Sequence, residues 1–189
     1  MTVKPLSEET RRDLLDLARR ALEAHFSGGP PPRLGSDRAE AFGDPRALFV
    51  TLRRRGELRG CIGTLAPDGD LSRMVPKFAL RAAFGDPRFP PLTAGELSEI
   101  DIEISVLTPP VPLENAESIE IGRDGLILEA WGRSGLLLPQ VAVEWGFDRK
   151  RFLAEICRKA GLPEGAWRDP DAALWVFQAE VFGEKEGEG

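Results

Sequence analysis

Apolar side chains fall at helical spacing near the start of the chain, at Leu14, Ala18, Ala21 and Leu22 with His25 beside them, while Glu and Arg occupy the opposite side. Ser7 is placed to cap a helix running to about Phe26. Gly28-Gly29-Pro30-Pro31-Pro32 ends it and opens a loop reaching about Pro45. Ala47 to Arg53 reads as a strand, Arg54-Arg55-Gly56-Glu57 as a turn and Leu58 to Leu65 as the return strand. Asp70 caps a second helix through Ala83, with Leu71, Met74, Val75, Phe78 and Ala82 as its apolar stripe; Pro76 either bends that helix or marks its start.

In the second half the period changes to two. Ile100, Ile102, Ile104 and Val106 alternate with Asp101, Glu103 and Ser105, the pattern of a half-buried strand, and Thr108-Pro109-Pro110 ends it. Gly122-Arg123-Asp124-Gly125-Leu126 and Gly132-Arg133-Ser134-Gly135-Leu136 repeat a turn followed by a strand and predict a meander; neither has the lysine or length of a phosphate-binding loop. Pro139 opens a short helix and Asp148 caps another to Ala160, with Gly161 at the left-handed stop and Cys157 on the apolar face. Leu174 to Phe182 is the last predicted strand, and residues 183–189 are expected to form a frayed acidic tail. Ala41-Phe42-Gly43-Asp44-Pro45-Arg46 recurs letter for letter as Ala83-Phe84-Gly85-Asp86-Pro87-Arg88, which places Arg46 and Arg88 at equivalent corners.

The 189 residues suit one domain, and no apolar run approaches the length of a membrane span. Two cysteines and a start without a signal-peptide core predict a cytoplasmic protein without a disulfide framework. A net charge of −6 argues against a general nucleic-acid coat. The consecutive arginines Arg53, Arg54 and Arg55 have no interleaved aromatic and read as a solvated hairpin tip. With a single histidine and no paired-cysteine motif, no metal site and no cofactor is predicted, and a Cys-His pair would need His25 to fold back on the thiol. Proline-rich loops with few Asn, Met and Cys are compatible with a thermophilic source, although a GC-rich genome biases composition the same way.

Candidate chemistry gathers in Leu58-Arg59-Gly60-Cys61-Ile62-Gly63-Thr64-Leu65. Glycines inside an apolar strand weaken it and mark a place where another backbone, a ligand or a bulge comes close. Arg59, two residues from Cys61, would favour the thiolate if the two side chains met. Strict alternation puts Arg59, Cys61 and Gly63 on one face and Leu58, Gly60, Ile62 and Thr64 on the other. Two readings follow. In one, Cys61 is a nucleophile or covalent acceptor, Arg59 and Arg88 hold an anionic ligand along Gly60 and Gly63, and Glu103 or Gln140 orients it. In the other, Cys61 is a small filler, the glycines make room for a helix, and the protein is a docking module without chemistry.

The motif resembles the signature of the AMMECR-one domain family. Asp86-Pro87-Arg88-Phe89-Pro90-Pro91-Leu92, Glu103 to Pro109, Gly135 to Ala142 and Cys157 to Leu162 resemble further segments of that family, in family order. The resemblance implies an α+β fold, mostly antiparallel sheet flanked by helices, with a lesser lobe forming a cleft. It supplies no reaction. It implies a partner only by association, since some prokaryotic relatives occur fused to or beside a Memo-like protein and a radical-SAM enzyme. Asp124 stands where the family leads one to expect histidine, so an acid-base role for that residue does not carry over.

Overall fold

The structure, a computed structural model, describes residues 5–30, 32, 42 and 46–185. It is α+β, mostly antiparallel sheet with flanking helices, and divides into two units, Met1–Val106 with Glu180–Gly189, and Leu107–Ala179.

In the first unit, helix α1 (Glu8–Ser27) begins at Ser7, whose side chain accepts the Thr10 N–H, and stops at Gly28 in the left-handed conformation. Strands β1 (Leu48–Arg54) and β2 (Glu57–Thr64) form a hairpin closed by Arg55-Gly56, both at positive φ as a two-residue turn of right-twisted strands demands. Helix α2 (Leu71–Phe84), capped by Asp70, packs on both strands and on α1. Pro76 lies inside it and is buried. Strand β3 (Ile100–Leu107) completes the order β2-β1-β3, and the end of β7 (Ala173–Gly183) runs beside β3. The stripes read from sequence meet here: Leu48, Val50 and Leu52 of β1, the isoleucines of β3, Leu14, Leu17 and Leu22 of α1, and Met74, Val75 and Phe78 of α2 form one core.

The second unit is built on β5 (Asp124–Ala130), which pairs antiparallel with β6 (Arg133–Leu137) and with β7; the two-residue strand β4 (Val111–Pro112) pairs with β7. Helices α3 (Pro139–Glu144) and α4 (Arg149–Lys159) pack on this sheet. Their apolar faces, including Phe152, Ile156 and Cys157, close a second core with Leu126 and Leu128.

Three details depart from the sequence reading. The β1–β2 register slips between Leu52 and Arg53: Leu52 faces Gly60 but Arg53 faces Leu58, so Arg59 is an extra residue at a bulge. The slip moves Leu58 to the face of Arg53, away from Ile62, and leaves it exposed. The acidic tail begins in order: Gly183 closes β7, Glu184 exchanges hydrogen bonds with both peptide groups of Ile102, and Lys185 pairs with Asp101 at 2.6 Å; residues 186–189 lie outside those described. Most of the first copy of the Ala-Phe-Gly-Asp-Pro-Arg repeat also lies outside the described residues.

Candidate functional site

The glycines of the motif have different neighbours. A Cβ on Gly60 would stand 2.2 Å from the carbonyl oxygen of Ala82, so β2 and α2 touch backbone to backbone there. A Cβ on Gly63 would meet the Leu48 carbonyl oxygen at 2.3 Å and the Phe49 ring at 2.4 Å, so this glycine lets the cross-strand aromatic lie over β2. Both positions are shaped by the protein's own atoms.

Cys61 lies between them on the outermost strand of the first sheet. An edge strand carries peptide groups with no neighbouring strand to bond. At Cys61 the turn after α2 fills that role: the Cys61 N–H donates to Asp86 Oδ2 at 2.9 Å, and its carbonyl oxygen accepts from Arg88 Nη2 at 3.3 Å. Asp86 is buried and also holds Arg88 through Nε to Oδ1 at 2.9 Å and Nη2 to Oδ2 at 2.7 Å. The Arg88 bonds and the Cys61 N–H outweigh the cost of burial and hold the Asp86 carboxyl far below the usual carboxylate range.

The thiol is half-buried and accepts a hydrogen bond from Thr51 Oγ1 at 3.3 Å. Thr51 faces Cys61 on one side and Glu103 on the other, so the three form a row across β2, β1 and β3. Burial pushes the thiol up; the Thr51 bond and Arg88 pull it down, while Asp86 and Glu103 push it up further, and the balance lies above the ordinary thiol value. At neutral pH the group is a thiol, a weak nucleophile.

Arg59 is committed elsewhere. Its Nε and Nη2 bind the two oxygens of Glu96 at 2.9 and 3.1 Å, and Nη1 and Nη2 reach the carbonyl oxygens of Pro90 and Pro91 at 3.0 and 3.4 Å. Only 11% of its side chain is exposed. Glu96 also closes a capping box with Thr93 and pairs with Arg54, while Glu99 pairs with Arg54 and Arg55. Arg59, then Thr93, hold the Glu96 carboxyl at about 2. Of the hairpin arginines read as a solvated tip, Arg54 and Arg55 are thus tied to two glutamates, and Arg53 pairs with a third, Glu103, at 3.9 Å. Arg88, by contrast, keeps 54% of its side chain exposed.

Arg88 and Glu103 therefore both act on Cys61, which lies between Gly60 and Gly63 in the chain. Gln140 belongs to the second unit, in the first turn of α3. Asp124 opens β5 there, buried; burial raises its carboxyl, but bonds from Arg123 and from the Glu120 N–H outweigh this and leave it below the ordinary value. Cys157 is fully buried, and His25 is exposed with its ring stacked on Phe84 at 4.1 Å. Thr51, Asp86 and Glu96 were not singled out from sequence. The signals for two of them were present, a Thr-x-x-Glu box at Thr93 to Glu96 and an Asp-Pro turn at Asp86.

Among the described residues no three His, Cys, Asp or Glu side chains are grouped as metal ligands would be, and no helix is long and apolar enough to cross a membrane. The AMMECR1 family model matches residues 15–182. A protein of Methanothermobacter thermautotrophicus is 47% identical over 97% of this chain and 99% of its own length, and one of Thermococcus gammatolerans is 43% identical over 97% and 95%. The crystal structure of the uncharacterized protein PH0010 from Pyrococcus horikoshii matches with a TM-score of 0.84 at 43% identity, covering 93% of this chain and 92% of that one. With this fold and a family match over most of its length, the chain belongs to the AMMECR1 family.

Proposed function

We propose that this protein is a non-catalytic binding module in which the Leu58–Leu65 segment is architecture that holds Arg88 in place for a partner. The observation that carries the reading is the internal commitment of the motif's polar groups. Glu96 and two proline carbonyls occupy Arg59, the Asp86–Arg88 pair occupies the Cys61 peptide groups, and Gly60 and Gly63 admit Ala82 and Phe49. An anion-binding arginine needs its planar fork free, and Arg59 has spent it. Arg88 spends its Nε and Nη2 on Asp86 and the Cys61 carbonyl but keeps over half of its side chain exposed, and that exposed side is what the motif presents to a partner. The partner class is a protein, and the family resemblance points to a Memo-like or a radical-SAM protein.

The test is alkylation of Cys61 against pH, read by mass spectrometry, together with co-elution of the Arg88→Ala and Cys61→Ala variants with those two partners from the same genome. The reading expects a labelling midpoint above the free-thiol value of about 8.5. It also expects complex formation that Arg88→Ala weakens and Cys61→Ala preserves. A midpoint well below that value overturns it in favour of a thiol site, the reading to which the Thr51 bond and the Arg88 charge lend support. Co-elution with neither protein removes the proposed partners.

A further inference from the structure

The second unit carries a concave site that has no part in the Cys61 region. A cavity of about 430 Å³ opens between the start of α4 and the turn at Ala166–Arg168. Leu153 and Ala154 line it beside the indole of Trp167, and Lys150 and Arg168 stand on its walls with Glu164. The other charges there are engaged: Arg149 donates to the Ile119 carbonyl and to Glu117, and Asp148 accepts the Arg151 N–H as the cap of α4. Among the described residues no carboxylate lies within ion-pair distance of Lys150 or Arg168. The Arg168 guanidinium lies over the Trp167 ring, 4.2 Å from its centroid, and Gly165, at φ 89°, leaves the space that its Nη1 occupies. A cation stacked on an indole is held in position before any ligand arrives, which lowers the ordering cost of binding.

We propose that this cavity binds a small planar organic anion, a mono- or bicyclic unsaturated ring bearing one carboxylate or phosphate. The ring lies against Trp167, Leu153 and Ala154, and the oxyanion is shared by Lys150 and Arg168. The volume falls within the range of small-molecule sites, and the mixture of an apolar wall with a few polar groups is their usual composition. Glu164 faces the same space and selects against ligands with a second anionic group.

Isothermal titration of the whole protein tests this with adenosine monophosphate and naphthoate as the two oxyanion sources, adenosine and naphthylmethanol as their neutral counterparts, and inorganic phosphate and acetate as anions without a ring. The expected result is saturable binding of at least one ring-bearing anion at millimolar concentration or below. Its neutral counterpart and the ringless anion each bind at least about tenfold more weakly, in keeping with charge-assisted bonds. Lys150→Ala and Arg168→Ala, both solvent-facing and checked for folding by circular dichroism, each weaken it by about tenfold. Lys77→Ala, in the first unit, leaves it unchanged. Failure of both ring-bearing anions to bind overturns the proposal, as does equal binding of the neutral or ringless compounds. Unchanged affinity in both the Lys150 and Arg168 variants places any binding elsewhere and overturns it too.

Discussion

Gly60→Ala puts the contact between β2 and α2 to a direct test. The added Cβ would lie 2.2 Å from the Ala82 carbonyl oxygen and 3.1 Å from its carbon, whereas ordinary contact begins at 3.4 Å, so a gap of 3.4 − 2.2 = 1.2 Å must open. The obstacle is helix backbone and has no rotamer by which to yield. Opening that gap moves α2 and with it Met74, Val75, Phe78 and Ala79, all in the first core. Overpacking of this kind costs about 1–3 kcal/mol, and the rigidity of the obstacle argues for the upper part of that range. Reduced freedom of the unfolded chain returns about 0.4–1 kcal/mol. The expected net loss is about 2 kcal/mol, which at a urea dependence of about 2 kcal/mol/M lowers the midpoint by about 1 M. All four tryptophans lie between residues 131 and 175, in the second unit, so none is a local probe of the β2–α2 contact. Far-UV circular dichroism in urea and hydrogen exchange of the α2 amides do report it. Gly95→Ala, with nothing within 4 Å and no positive φ, is the control expected to be neutral. A Gly60→Ala midpoint equal to that of the control would refute the claim that backbone contact dictates this glycine.

Acid titration is expected to weaken the first unit through Asp86 and Glu96. Both carboxyls sit below their unfolded values, so their stabilisation is complete above about pH 4.5 and is lost as pH falls toward about 2 and below. Glu96→Gln should flatten the fall in urea midpoint over that window, and an unchanged slope would contradict the assignment. Trp131 opens the β5–β6 turn at φ 52° with 56% of its surface exposed, an unfavourable backbone for a bulky residue that gives little burial in return. Trp131→Asn should therefore raise the thermal midpoint, by a stabilisation of about 0.5–1 kcal/mol, and a lower midpoint would mean that the indole makes a stabilising contact.

Much of this protein was legible in its sequence because helices and strands are encoded locally. Ser7, Asp70 and Asp148 cap the helices expected of them, and the period-two run from Ile100 became β3. The order of motifs along the chain was enough to indicate the family. What sequence could not settle was the environment of the motif, because that depends on atoms far away in the chain. Arg59 faces no thiol in need of a cation, since Glu96, 37 positions on, arrives with two oxygens. The Cys61 peptide groups are met by a turn 25 and 27 positions away. The glycines of the motif allowed a close backbone, a ligand or a bulge, and pattern alone does not choose among them; only the paired strands put α2 against Gly60 and the bulge at Arg59. Sequence determined which elements form and where they stop. Tertiary structure alone decided which charges meet and which groups are removed from water, and the balance between those two effects makes Cys61 a thiol and leaves Arg88 exposed.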